Sequence, residues 1–292
     1  MIQRCLPLAF IFLASCSSPA QERGPGRYIE KVTSQGAERD YILRVPKGYK
    51  SGTPTPVVFA LHGLSDNMEH FSSTTNIEDL ADKEGFICVI PNGMKPNFRG
   101  WNAGFFAMAG TTDDVSFITD LLNRVEKEFT TDKKRTYVFG HSNGAMMSYY
   151  LGGLMSDRFA AVAGIAGTIG IPKATAAVKA VPEPKNPISV LMIHGEKDPT
   201  VAFKPGAKAL LQCTGAEDGA KWWAKQDGCE ENGVTTDFMK DLSTSTLYSK
   251  GKNGTEVRLI CTINGTHAIP NASVGVDAIS EIWNFFKTHP KQ

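Results

Sequence analysis

A serine between two glycines, in the segment GHSNGAMMSYYL (residues 140–151), is the clearest candidate for chemistry in the sequence. The apolar residues before it predict a strand, and those after it predict a helix. With this G-x-S-x-G spacing, a sharp strand-to-helix turn exposes the serine oxygen at the carboxyl edge of a sheet. Ser142 is therefore a candidate nucleophile, and its alternative role is that of a helix N-cap.

Two other side chains follow strand ends in the order that a serine nucleophile requires. Such a serine needs a general base, and the base needs an acid that orients it. Asp198 follows the apolar run ISVLMIHG (188–195), and His267 follows EVRLICTING (256–265). The sequence predicts that His267 takes the proton of Ser142 and that Asp198 orients His267.

Each of the two partners has alternatives. Glu196 is the rival acid, and Asp198 is also a common type of turn residue before a proline. Four histidines precede Asp198, of which His141 adjoins the serine, and His289 lies at the end of the last predicted helix. Each residue alone fits a structural role, but three in this order favour catalysis, with His267 as the base.

The same turn predicts an oxyanion hole. One donor is expected to be the backbone N–H of Asn143, directly after the serine. The other is expected to be the N–H of Leu64, which follows the run PVVFALHG (56–63). Each such donor lowers an acyl-transfer barrier by about 3 kcal/mol. His62 then shapes the pocket or simply caps backbone groups.

The elements that must position these residues alternate between strand and helix. Nearly continuous apolar runs, typical of central parallel strands, occur at residues 56–63, 86–93, 135–140, 159–167, 188–195 and 256–265. Helical spacing occurs at about residues 76–83, 113–129, 143–155 and 278–288.

Alternation at residues 27–45 predicts an antiparallel hairpin that turns at residues 34–36. Together these patterns predict an α/β fold with a mostly parallel central sheet, helices on both faces and an antiparallel N-terminal hairpin. We expect one domain over residues 27–292, with a local insertion at about 196–255.

Composition narrows the classes of function. The chain has 292 residues, of which 41% are hydrophobic and 21% charged, and its formal net charge is +1. These values are ordinary for a globular protein. The sequence contains no basic block, so neither a nucleic-acid partner nor binding to an anionic membrane surface is expected. No Cys-x-x-Cys or His-x-x-x-His pair occurs, so no metal site is expected, and the predicted chemistry needs no cofactor.

The N-terminus predicts export. Residues 1–15 contain a basic residue and an apolar run that is too short to span a bilayer. LASC (13–16) resembles a bacterial lipoprotein signal, which implies cleavage before Cys16, lipidation of its thiol and a polar tether at 16–26. The alternative is ordinary secretion with cleavage near Ser17 or Ala20. The expected location is the cell envelope, and otherwise the periplasm or the extracellular space, with the membrane reached only through the lipid.

Four cysteines lie outside the export segment, and an exported protein permits disulfides. Cys88 lies in an apolar strand and is expected to be a core thiol. Cys213 and Cys229 flank a predicted helix, whose rise of ~15 Å disfavours a bridge between its ends. The favoured pair is Cys229–Cys261.

The chain resembles the α/β-hydrolases grouped as polyhydroxybutyrate depolymerase-like and feruloyl esterase-like carboxylesterases, over about residues 40–285. The shared motifs are LHG (61–63), GWN (100–102), DDVSFI (113–118), GHSNGAMM (140–147), HGEKDPTV (194–201) and GTH (265–267). The resemblance implies the same triad and suggests that Trp101 and Asp114 lie near the pocket. His62 and His141 are further candidate pocket residues.

Two of these pocket assignments have structural alternatives. Trp101 is also suited to packing under a long loop, and Asp114 to providing helix N-terminal charge. The segment NGTHAIP (264–270) departs from the family pattern Gly-Gly-Gly-His-x-Trp-Pro. Because the tryptophan is missing, the pocket wall beside the base should differ from that of the family.

The expected function is that of an exported serine esterase with an acyl-enzyme intermediate. Its substrates are feruloyl-type or short-chain acyl esters, either small or linked to a polysaccharide or polyester. One alternative is a depolymerase of polyhydroxyalkanoate oligomers. Another is a non-catalytic surface lipoprotein that serves as a binding module.

Overall fold

The computed structural model describes residues 23–95, 98–107, 110–172 and 178–292. The strands are β1 (Gly26–Ser34), β2 (Ala37–Val45), β3 (Thr55–Leu61), β4 (Ile87–Pro91), β5 (Thr131–His141), β6 (Ala161–Ile165), β7 (Gly170–Pro172), β8 (Val178–Ala180), β9 (Ser189–Gly195), β10 (Val234–Asp237), β11 (Ser243–Tyr248) and β12 (Val257–Thr262). The α-helices are α1 (Met68–Thr75), α2 (Ile77–Glu84), α3 (Asp114–Glu128), α4 (Asn143–Leu154), α5 (Ala216–Asp227) and α6 (Ala278–Thr288).

One ten-stranded sheet runs through the molecule in the order β1-β2-β4-β3-β5-β6-β9-β12-β11-β10. The six strands from β4 to β12 are parallel to their neighbours, and each edge is extended by two antiparallel strands. β7 and β8 pair separately. The predicted mostly parallel sheet and N-terminal hairpin are confirmed, and the hairpin turns at residues 34–36 as expected.

The central strands are apolar throughout because helices cover both faces of the sheet. Every residue of β3, β4, β6 and β9 is buried. Side chains alternate between two cores: Phe59 packs with residues of α3, α4 and α5, whereas Val58 packs with residues of α1, α2 and α6. This three-layer arrangement explains why continuous rather than alternating hydrophobicity marks these strands.

The register of the parallel strands places their carboxyl ends at the same edge of the sheet. Leu61 of β3 lies opposite Gly140 of β5, and Gly195 of β9 lies opposite Thr262 of β12. The loops that carry the predicted oxyanion donors and triad residues therefore leave the sheet at the same edge.

Helix α1 is not predicted by the apolar pattern. Asn67 caps it, since its side chain accepts hydrogen bonds from the amides of Glu69 and His70. Asn76 begins the segment predicted as the next helix, but it makes no side-chain cap bond. It adopts a left-handed conformation (φ 51°) at the junction between α1 and α2. Because α1 is short and largely polar, its sequence lacks the apolar periodicity that would predict it.

The segment 196–255 adds α5 and the strands β10 and β11. The two strands lengthen the sheet beyond β12, and α5 packs its buried residues into the same core as α3 and α4. At the other end of the described chain, Arg23 pairs with Glu30 (2.6 Å), and β1 already begins at Gly26. The described end of the predicted tether therefore lies against the domain. Cys16 lies outside the described residues.

The expected Cys229–Cys261 disulfide is wrong. Cys88, Cys213, Cys229 and Cys261 are free thiols in the structure. The sulfur of Cys229 lies near the carbonyl oxygen of Thr255, at 3.8 Å. Six residues of extended chain, or ~20 Å, separate this point from Cys261 on β12, so the two sulfurs cannot meet.

The described residues contain neither a candidate metal cluster nor a candidate membrane-spanning helix. No cluster of three or more His, Cys, Asp and Glu side chains there is arranged to hold a metal ion. None of the helices described is both long and apolar enough to cross a membrane.

Candidate active site

The turn at Ser142 has the geometry of an exposed nucleophile. Ser142 has φ 54° and ψ −117°, a conformation that L-residues rarely adopt, and its amide donates to the carbonyl of Ile165 (2.8 Å). A Cβ on Gly140 would collide with the backbone of Gly144, and one on Gly144 would collide with the carbonyl of Leu61. Ser142 precedes α4 but makes no side-chain cap bond, so its hydroxyl is not engaged as an N-cap.

The three predicted triad residues form one hydrogen-bonded chain. Ser142 Oγ lies 2.8 Å from His267 Nε2, and His267 Nδ1 lies 2.8 Å from Asp198 Oδ2. Since a carboxylate only accepts, Nδ1 carries the proton and Nε2 is free to accept the serine hydroxyl. This tautomer is the one that a general base requires.

Asp198 is buried but held as an anion. Burial of its carboxyl opposes ionisation, yet contacts from His194, His267 and the Val201 amide outweigh that effect and hold its pKa well below the usual range. Its Oδ1 accepts the amides of Thr200 (2.7 Å) and Val201 (2.9 Å). The rival acid Glu196 is exposed on the same turn.

His62 and Trp101 are buried and support the loops around the nucleophile. His62 Nδ1 donates to the carbonyl of Gly63 (2.7 Å), and its Nε2 accepts the amide of Gly93 (3.0 Å). Trp101 Nε1 donates to the carbonyl of His62 (2.8 Å). Burial lowers the pKa of His62 to about 4, so it stays neutral near pH 7. Neither side chain is exposed, so both shape the site from behind rather than line an open pocket.

The side chain of Asn143 ties the long loop between β4 and α3, which contains Trp101, to the turn at Ser142. Its Oδ1 accepts the amide of Trp101 (2.7 Å) and its Nδ2 donates to the carbonyl of the same residue (3.0 Å). This two-point contact joins residues 42 positions apart. The sequence did not predict this role, because no local pattern marks it.

Asp114 also fixes the long loop from inside the protein. Its Oδ1 pairs with Arg39 (2.8 Å), and both side chains are buried. Its Oδ2 accepts the amide of Asn102 (2.8 Å), and the guanidinium lies 3.8 Å from the ring centre of Phe117. Asp114 is the first residue of α3, as expected, but its partners make it a buried structural anchor and not a pocket residue.

His141 contacts the predicted base, His267, through the backbone. Its Nε2 donates to the carbonyl oxygen of His267 (2.7 Å), and the two rings lie 5.1 Å apart. Burial lowers the pKa of His141 to about 4, so it is a neutral donor near pH 7. The residue therefore positions His267.

The two expected oxyanion donors lie beside the serine. Asn143 is the first residue of α4, where amides have no partner within the helix, and Leu64 is half-buried in the loop after β3. Within the described part of the chain, neither amide donates a hydrogen bond to a protein group. A Cβ on Gly63 would lie 3.5 Å from the Cβ of Ser142, which brings the Leu64 loop against the nucleophile. Their role stays a prediction.

His194 lies next to the triad, but the sequence pattern did not single it out. His194 is buried near the end of β9, and its Nε2 lies 3.2 Å from Asp198 Oδ2. A histidine in a fully buried strand needs a polar partner. Asp198, four residues later, was the signal in the sequence that could have predicted this contact.

Comparisons with known proteins agree with the fold and the motifs. The family model described as "Putative esterase" matches residues 33–255. "Feruloyl esterase B" of Piromyces equi is 27% identical over 255 residues, which are 83% of this chain and 45% of that protein. "Probable feruloyl esterase C" of Aspergillus oryzae is 27% identical over 254 residues, covering 85% of this chain and 84% of the relative. The chain thus spans under half the length of the first of these relatives.

A solved structure shows the same fold. The acetyl xylan esterase from Aspergillus awamori aligns with a TM-score of 0.63 at 15% identity, covering 87% of this chain and 99% of that one. At this identity the likeness concerns the fold alone, and it confirms the predicted α/β-hydrolase architecture.

The contacts of Asp198 predict how its amide variant behaves. Asp198→Asn should lower kcat/KM for p-nitrophenyl acetate by roughly 10⁴-fold, because the amide cannot stabilise the protonated base or select its tautomer. Glu196→Gln, on the same turn, should stay within about twofold. Equal losses in the two variants would contradict this assignment of the acid.

Proposed function

Because the chain belongs to this esterase family, we propose that it hydrolyses carboxylic esters with Ser142 as nucleophile. The observation that carries the proposal is the unbroken chain of hydrogen bonds from Ser142 through His267 to Asp198. Nucleophile, base and orienting acid lie at contact distance before any substrate binds, so little reorganisation is needed at the moment of reaction.

The reaction follows from the positions of the protons. His267 Nε2 takes the hydroxyl proton as Ser142 Oγ forms a bond to the ester carbonyl carbon, and the carbonyl electrons move to its oxygen. The amides of Asn143 and Leu64 stabilise this oxyanion. When the intermediate collapses, the ester C–O bond breaks, the alcohol leaves with the proton from His267, and the acyl group stays on Ser142.

Water completes the cycle by the same route. His267 removes a proton from the water as it attacks the acyl carbon, and the bond to Ser142 Oγ then breaks. The proton returns to Ser142, and the carboxylic acid is released. Throughout both steps Asp198 remains ionised and stabilises the protonated base.

Exposed apolar side chains on segments that connect to the turn of Asp198 and to the chain after His267 favour esters with an apolar or aromatic part. Leu210 is 87% exposed, and its amide donates to the carbonyl of Pro199, next to Asp198. Leu242 and Val274 are also exposed, and Leu242 lies against Gly275 in the segment after the catalytic histidine. Feruloyl-type esters, which the names of the relatives suggest, fit such a surface.

Neither alternative function has comparable support. A non-catalytic binding module would not need the strained turn or the aligned hydrogen bonds. Polyhydroxyalkanoate oligomers are also carboxylic esters that the same triad can cleave, but the relatives from Piromyces equi and Aspergillus oryzae carry feruloyl esterase names. We therefore propose feruloyl-type and short-chain esters as the preferred substrates.

A panel of esters tests the proposed activity. We expect wild-type protein to hydrolyse p-nitrophenyl acetate and methyl ferulate faster than hydroxybutyrate oligomers. Ser142→Ala should lose at least ~10³-fold in kcat on each ester, because it removes the nucleophile. The matched control is Ser148→Ala: this serine lies on the same helix and donates to the carbonyl of Gly144, and its loss should change kcat only a few-fold. Equal inactivity of wild type and Ser142→Ala on every ester would remove the support for an esterase.

We also propose that the protein is exported and lipidated at Cys16, on the support of the LASC (13–16) segment. Expression in bacteria with labelled palmitate should give a labelled protein. Cys16→Ser should lose the label because the acceptor thiol is gone, whereas Cys5→Ser should keep it. A label that persists in Cys16→Ser would exclude lipidation at this residue.

A further inference from the structure

A second histidine lies against the catalytic acid. His194 Nε2 is 3.2 Å from Asp198 Oδ2 and 3.1 Å from the carbonyl oxygen of Val201. Both neighbours are acceptors, so Nε2 must carry a proton. The imidazole is 2% exposed and packs edge-on against Phe203, with the ring centres 5.8 Å apart. It therefore has one fixed orientation.

His194 holds the turn of the catalytic acid at two points. The amide of Val201 donates to Asp198 Oδ1 (2.9 Å), while its carbonyl accepts from His194. The same ring N–H lies beside Oδ2, the oxygen that accepts His267 Nδ1–H. His194 thus stands opposite the base across one carboxylate oxygen, in a place that a substrate cannot reach.

We propose that His194 is a positioning residue: its Nε2–H donates to the Val201 carbonyl and lies beside Asp198 Oδ2, and this contact sets how strongly the carboxylate stabilises protonated His267. The inference rests on the proposed esterase function. When a carboxylate oxygen loses a neighbouring N–H dipole, its charge acts more strongly on the donor that remains. Without the His194 N–H, protonation of His267 should therefore persist to higher pH. The less firmly held carboxylate should also support the transition state less well.

Two other buried ionisable groups lie near this pair. His141 faces the base from the nucleophile turn, and burial lowers its pKa to about 4. Cys213 faces Asp198 from the loop after β9, and burial raises its pKa above the usual value. The remaining charged groups are more remote or exposed: Asp66, which acts on His141, and Glu196 and Lys197 on the turn of the acid.

The test uses two variants of the full chain. His194→Met fills the space without a donor, and His194→Gln restores an N–H near the position of Nε2. We expect His194→Met to lower kcat about tenfold with little change in KM. The acid limb of its pH–rate profile should move to higher pH by roughly half a unit. His194→Gln should recover most of both effects.

Phe203→Leu serves as the packing control. It disturbs the neighbour of the His194 ring but leaves the N–H in place, so it should lower the melting temperature without moving the acid limb. If His194→Met keeps the wild-type profile and kcat, or if His194→Gln behaves like His194→Met, the positioning role is overturned.

An NMR titration separates failure of this inference from failure of the esterase proposal. The ring signals of His267, assigned by comparison with His267→Gln, report its protonation without any substrate. The midpoint should rise in His194→Met and return in His194→Gln, even if no ester in the panel is cleaved. An unchanged midpoint would overturn the inference independently of activity.

Discussion

The strained backbone at Ser142 is the constraint on which the rest of the site depends. A non-glycine residue in such a conformation costs on the order of 1–3 kcal/mol and persists only where its surroundings enforce it. Here the surroundings are the backbones of β3, β5 and α4, which meet so closely at Gly140 and Gly144 that neither residue can carry a side chain. The amide of Ser142 is held by Ile165 on the next strand. The pairing of the central strands thereby enforces the turn that directs the Ser142 hydroxyl toward His267.

Around that turn, buried polar contacts fix the loop after β4 and the two triad partners of Ser142. Asn143 fixes the backbone of Trp101, and the Arg39–Asp114 pair fixes the next residue of the same loop. On the other side, His141 holds the backbone of the base and His194 holds the acid. A site assembled this way keeps its donors and acceptors aligned without substrate, which is the arrangement that favours electrostatic stabilisation of a transition state.

The fold and the triad were accessible from the sequence because each leaves a local trace. Continuous apolar runs mark the buried parallel strands, and Ser142, Asp198 and His267 each follow such a run. The supporting contacts leave no such trace. Arg39 meets Asp114 across 75 positions, so no spacing rule links them. The complete burial of Trp101 is likewise set by the folded chain and not by a local pattern. The favoured Cys229–Cys261 pair is wrong because the spacing of cysteines along the chain does not show where β12 places Cys261.

Covalent acylation of Ser142 is the most direct test of the proposed chemistry. Wild-type protein mixed with p-nitrophenyl acetate and quenched rapidly in acid should carry one acetyl group on the peptide that contains Ser142. The same peptide from Ser142→Ala should carry none. An acetyl group on another residue, or undiminished ester turnover by Ser142→Ala, would contradict the assignment of Ser142 as the nucleophile.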